Sequence, residues 1–104
     1  MATNNKAPEQ EYTYEEICES FKMYSEYVKT WHPKVTPSDE DKLSAYSYYK
    51  QATCGDCTGD RPSMLNIVGR AKYDAWNKHK GMDNMTAMMK YIESVQGQIV
   101  KYSQ

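Results

Sequence analysis

Tyr46, Tyr49, Lys50 and Thr53 are spaced i, i+3, i+4 and i+7 within the stretch YSYYKQATCGD. On a helix they share one face, which is aromatic, hydroxyl-bearing and cationic. Such a face suits a ligand with a planar ring to stack and a phosphate to grip. The same residues also suit a half-buried surface, with ring or stem on apolar neighbours and the polar tip in water. Two further cations, Lys72 and Lys29, fall on other predicted helices. If the second and third helices pack together, two ammoniums and the tyrosine hydroxyls can surround one phosphate, each charge-assisted contact worth about 1.5–3 kcal/mol.

Other chemistries have weaker support. Cys54 and Cys57 form a CxxC, but zinc needs four ligands, and Cys18, His32 and His79 do not supply a second paired spacing. A redox CxxC belongs between a strand and a helix, and no strand pattern is present. These two thiols therefore read as small packing residues of a buried turn. The histidines are far apart, no GxSxG or GxxxxGK occurs, and the carboxylates are spread over helix faces. The pattern is that of a binding protein, with no metal or cofactor implied.

The elements that must hold this face are helices. The 104 residues suffice for one domain, one that hides about 60–70% of its unfolded surface without needing a metal or disulfide. Residues 1–12 read as a flexible polar extension and 13–104 as the domain. Thr13 and Glu16 make a capping box, followed by Tyr14, Ile17, Cys18, Phe21, Tyr24, Val28 and Trp31 at helical spacing. Pro33 and Pro37 frame a turn that leaves His32 exposed, and Ser38 with Asp41 caps a second helix from about Asp39 to Thr53, with Leu43 and Tyr48 available to the core.

A long connection rich in glycine, aspartate and proline follows, and Met64, Leu65, Ile67 and Val68 are expected to pin it against the helices. The third helix is expected from about Gly69 to Lys80, closed by Gly81. Asp83 caps the fourth, whose stripe of Met85, Met89, Ile92, Val95, Ile99 and Tyr102 reads as core, with Met88 left open. The fold class is all-α, a four-helix bundle with a long connection between helices 2 and 3.

Thirteen basic and fourteen acidic residues give a net charge of -1, which argues against a general nucleic-acid binder. No stretch reads as a secretory signal or reaches membrane-spanning length, so the expected address is the cytosol, without stable membrane insertion. In that compartment the three cysteines are expected as thiols.

YKQATCGD, then RPSML, then GRAKYDAWNKHKG strongly resembles the acyl-CoA-binding protein family in wording, order and spacing, over about Phe21 to Tyr102. The resemblance implies a monomeric, cytosolic bundle of four helices that binds medium- to long-chain fatty acyl-CoA. Such proteins buffer and carry the ester, deliver it to enzymes that use it, and do not transform it. It further implies that Tyr46, Lys50 and Lys72 meet the ribose 3'-phosphate, and that Tyr49 packs on the adenine. Tyr91 falls at another ligand-contacting tyrosine, and Lys29 matches a further cation of the first helix. The chain departs from the family pattern in having Tyr73 for a tryptophan, and Cys54 and Cys57 for aliphatic residues. Tyr24 and Ser25 replace small residues near the ligand, and the turn after Trp31 is about two residues longer, which bears on the length of the acyl groove.

Overall fold

The computed structural model describes residues 11–103. The expected extension over 1–12 lies outside them except for Glu11 and Tyr12. Four helices follow in order, α1 (Tyr14–Thr30), α2 (Asp39–Cys54), α3 (Ile67–Asn77) and α4 (Asn84–Tyr102), with no strand among the described residues.

The helix starts follow local rules. Thr13 Oγ1 accepts from the Glu16 amide at 3.1 Å while Glu16 Oε1 accepts from the Thr13 amide at 2.9 Å, a complete capping box. Ser38 accepts from Asp41 at 3.0 Å and Asp83 from Thr86 at 2.7 Å. α3 begins two residues earlier than expected because Asn66, whose Oδ1 accepts from the Gly69 amide at 3.0 Å, is its cap. It also ends earlier, and residues 78–81 form a turn rather than a last helical turn. Gly55 (φ 81°) and Gly81 (φ 88°) sit in the left-handed region that L side chains avoid, and so end α2 and the turn after α3.

α4 packs along both α1 and α2, and α3 packs only on α2. The core gathers Ile17, Ala52, Ala87 and Met88, with Cys18, Phe21, Met82, Met85 and Ile92 against it. The fourth-helix stripe is buried or packed on the core at Met85, Ile92, Val95 and Tyr102 as expected, and departs from the expectation at Met89. Met88 is buried at 4% exposure and Met89 is turned out at 41%, because one residue along a helix is a rotation of about 100°. On α2 the buried positions are Ser47, Gln51 and Ala52, while Leu43 and Tyr48 are only half-buried.

Polar contacts fix the connections. Tyr102 stitches the long turn after α1 to the C-terminus. Its carbonyl accepts from the Lys34 amide at 2.8 Å, its hydroxyl accepts from the Ser38 amide at 3.1 Å, and that hydroxyl donates to Asp41. At the far end Gln51 Nε2 donates to Asp56 Oδ1 and to the Met82 carbonyl, both at 3.0 Å, and Gly81 N–H donates to the same Asp56 oxygen at 2.8 Å. These amide donors hold the Asp56 carboxyl below its ordinary pKa. Asn84 Nδ2 donates to the Ala52 carbonyl at 2.6 Å.

The expectation that Met64, Leu65, Ile67 and Val68 pin the long connection is overturned, since they are 74%, 94%, 75% and 65% exposed. The connection is held from α3 by polar groups instead. Arg61 forms a two-pronged pair with Asp74 (2.8 and 2.6 Å), and Tyr73 O–H donates to the Gly59 carbonyl at 3.2 Å. Arg70 Nε donates to the Pro62 carbonyl at 3.0 Å, and Trp76 Nε1–H to the Gly55 carbonyl at 2.8 Å. With those bonds made, the apolar side chains have no loop to hold down.

Candidate functional site

α1 and α3 make no backbone contact with each other. α2 meets both of them, through different members of the Tyr46, Tyr49 and Lys50 set. The three do not stay together as one patch. Tyr46 and Lys50 turn toward α3, and Tyr49 turns toward α1.

On the α3 side, the Lys72 ammonium lies 5.2 Å from the centroid of the Tyr46 ring, and the Lys50 ammonium 4.8 Å from that of Trp76. Each is a cation over an aromatic face, reaching across the seam in opposite directions. Trp76 is itself fixed by its bond to the Gly55 carbonyl, so the rigid end of α2 positions the ring that positions Lys50. The two ammoniums come from different helices, and neither is ion-paired among the described residues. They form a local positive site on a chain of net charge -1.

On the α1 side, Tyr49 stacks on Phe21 at 5.6 Å with an interplanar angle of 18°. Tyr91 of α4 closes the triangle, 5.1 Å from Phe21 edge-on and 5.7 Å from Tyr49. Tyr49 stays 39% exposed, with one face backed by Phe21, whereas Tyr91 is only 4% exposed. Burial, and then the neighbouring Tyr49, push the Tyr91 phenol up to about 12, so it is a neutral donor at physiological pH. Its hydroxyl makes no hydrogen bond among the described residues.

Lys29 is exposed in the last turn of α1, where its charge suits the negative helix end, and no ring or ion pair ties it to the other cations. Tyr24 bends toward α4. Its hydroxyl accepts from Gln96 Nε2 at 3.0 Å, and its ring lines the cleft between α1 and α4. Ser25 Oγ donates to the Lys22 carbonyl within its own helix. The bulk of Tyr24 is thus spent on the α4 side.

Cys54 is exposed rather than buried, contrary to expectation, because it lies in the last turn of α2 beside Lys50. The Thr53 hydroxyl, and then the Lys50 charge, draw its thiol below the usual value. Cys57 is half-buried with its sulfur near the Tyr73 carbonyl, both are free thiols, and among the described residues no group of three or more His, Cys, Asp or Glu is placed to hold a metal.

Sequence reasoning missed Trp76 and Phe21 as the rings that back the site. The signal was available only in part, since each lies on a predicted helix stripe but its partner is a residue of another helix. It also missed the pair of Ser47 and His79 on the other side of the α2–α3 seam. Ser47 Oγ lies 2.8 Å from both the Ser44 carbonyl and His79 Nε2, so it joins α2 to the turn after α3. Tyr48 stacks on the same imidazole at 4.3 Å.

The arrangement thus presents cations and aromatic faces, a chemistry that suits a ligand with an aromatic and an anionic part. A family model described as Acyl CoA binding protein matches residues 18–95. The acyl-CoA-binding protein homolog of Drosophila melanogaster is 38% identical over 87 residues, covering 84% of this chain and 99% of that protein. Acyl-CoA-binding protein homolog 1 of Caenorhabditis elegans is 39% identical over 83 residues, 80% of this chain and 94% of its own. The crystal structure of Oryza sativa Acyl-CoA-Binding Protein 2 superposes with a TM-score of 0.79 at 38% identity, covering 86% of this chain and 96% of the other. The chain belongs to the acyl-CoA-binding protein family, a family of binding proteins, and has its all-α fold.

Proposed function

We propose that this protein binds medium- to long-chain fatty acyl-CoA reversibly, recognises the nucleotide end of coenzyme A, and buffers and carries the ester inside the cell as a monomer. The observation that carries the reading is the crossed pair of cation–ring contacts at the α2–α3 seam, Lys72 over Tyr46 and Lys50 over Trp76. Two ammoniums and one phenol form a set of donors for the 3'-phosphate, which the two cations neutralise. Tyr49, backed on one side by Phe21, offers its remaining surface to the adenine, a stack worth about 1–3 kcal/mol. The Tyr91 hydroxyl is a neutral donor beside Tyr49, and Lys29 supplies a further cation from the last turn of α1.

The acyl chain lies between α1 and α3, where each buried methylene adds up to about 0.8 kcal/mol. With Tyr24 bonded to Gln96, that side keeps its width despite the larger residue. The cytosolic address and delivery to acyl-CoA-using enzymes are part of the same proposal. Calorimetric titration of the purified protein with palmitoyl-CoA tests it, with one-to-one binding expected and no heat of binding contradicting it.

A further inference from the structure

α1 and α4 run side by side in the same direction. Tyr14 O–H donates to Asn84 Oδ1 at 2.6 Å near their first turns, and Gln96 Nε2 donates to the Tyr24 hydroxyl at 3.0 Å further along. Between these two ties lies a cleft of about 350 Å³. Its apolar lining rises from the buried Ile17 and half-buried Ile92 to Met23 and Met89, which are both exposed. Methionines on a half-open apolar surface adapt to the shape of whatever side chains arrive. None of Tyr46, Tyr49, Lys50, Lys72 and Trp76 lines this cleft, so it is separate from the cations and rings at the α2–α3 seam.

The charges of the cleft indicate its occupant, because they have one sign. Glu16 and Glu93 line it, Glu19 lines its extension along α1, and no lysine, arginine or histidine lines either part. Lys90, one turn before Glu93, lines the cleft between α2 and α4 instead. An apolar strip with carboxylates on its rim is the complement of a helix whose apolar stripe is flanked by lysine or arginine. The lining part of α1 runs from Glu16 to Tyr24, about 12 Å, which matches about two turns of a partner helix. Other occupants fit less well. An anionic lipid surface or a fatty carboxylate would meet Glu16, Glu19 and Glu93 with like charge, and a two-fold contact through this face would set one acidic surface on another.

We propose that the cleft between α1 and α4 is a docking site for a basic amphipathic helix of a partner protein, with Met23 and Met89 taking its apolar stripe and Glu19 and Glu93 its cations. The docking does not rest on the acyl-CoA reading, so it is tested on the full chain without ligand. The probe is the fluorescently labelled helical peptide LKKLLKLLKKLLKL, beside its acidic counterpart LEELLELLEELLEL. NMR of the methionine methyls is expected to show saturable shifts at Met23 and Met89, with Met64, exposed on the long connection, unmoved. Fluorescence anisotropy is expected to show binding that weakens with salt and a Kd at least about tenfold higher in Glu19→Lys/Glu93→Lys and in Met23→Ser/Met89→Ser. The acidic peptide should not bind. No saturable binding, equal affinity for the two peptides, an unchanged Kd in either double variant, or a Met64 shift as large as those of Met23 and Met89 would overturn the proposal. Two peptide-free measurements cover the other occupants. A dimer in sedimentation velocity that Met23→Ser/Met89→Ser abolishes would give the cleft to a second copy. Nuclear Overhauser contacts from residues 1–10 to the Met23 and Met89 methyls that the lysine peptide does not displace would give it to the start of this chain, and either result would also overturn it.

Discussion

The ammonium of Lys72 lies 5.2 Å from the centre of the Tyr46 ring, so one side chain of α3 and one of α2 share a site that neither helix carries alone. Lys50 answers from α2 over Trp76 of α3 at 4.8 Å. This crossed arrangement gives each of two positive charges at the α2–α3 seam an aromatic face. An arriving phosphate would replace those faces with a stronger partner.

Removing either cation should therefore affect binding and not folding. Lys50→Ala and Lys72→Ala are each expected to weaken palmitoyl-CoA and free coenzyme A alike, by about 1.5–3 kcal/mol or roughly 10- to 100-fold in Kd, with thermal unfolding near wild type. Tyr46→Phe keeps the ring under Lys72 and removes only the hydroxyl, so a smaller loss is expected, about 1 kcal/mol. Calorimetry on the three variants distinguishes these outcomes, and an unchanged Kd for Lys72→Ala would remove α3 from the site.

Met88 and Met89 test the phase of α4. Met88→Ala opens space in the core beside Ile17 and Ala52 and is expected to cost about 2–5 kcal/mol. Met89→Ala, at a position 41% exposed, is expected to stay within about 0.5 kcal/mol of wild type. Urea denaturation at equilibrium measures both.

Tyr102 ties the start of α2 to the end of α4 through its hydroxyl, which accepts from the Ser38 amide and donates to Asp41. Tyr102→Phe leaves Ser38 N–H without that acceptor and is expected to cost about 1–3 kcal/mol. It should also raise the Asp41 carboxyl, which that hydroxyl first and Lys101 second hold below its ordinary value. An NMR titration of the Asp41 carboxyl would report the rise.

His79 gives stability a pH dependence with a definite sign. Burial, and then Lys78, lower its pKa in the folded protein below the ordinary 6.5. Between the two values the unfolded chain holds the proton and the folded one does not, so stability rises with pH through that window and is lost as pH falls below about 6.5. His79→Gln is expected to flatten the slope in this window relative to wild type, read from urea midpoints at successive pH values.

The helix starts were legible because a cap is a local rule. Thr13 with Glu16, Ser38 with Asp41, and Asp83 are each set by side chains three residues from the amide they bind. The shared face of Tyr46, Tyr49 and Lys50 was legible for the same reason. Its division was not, since that depends on Phe21 and Trp76, which the chain brings in from 28 residues before Tyr49 and 26 after Lys50. The aliphatic run from Met64 to Val68 misled because hydrophobicity marks what can be buried, whereas burial here was decided by Arg61, Arg70, Tyr73 and Trp76 bonding the connection directly. Gln51 and Ser47, polar side chains at 1% and 2% exposure, carry no sequence signal of burial, because the Met82 carbonyl and His79 that bond them come from distant segments.

The most direct test compares three ligands on one calorimeter: palmitoyl-CoA, free coenzyme A and 3'-dephospho coenzyme A. Binding in that descending order is expected, with the step between the last two set by the loss of the contacts from Lys50, Lys72 and Tyr46. Equal affinity for coenzyme A with and without its 3'-phosphate would contradict the assignment of those three side chains.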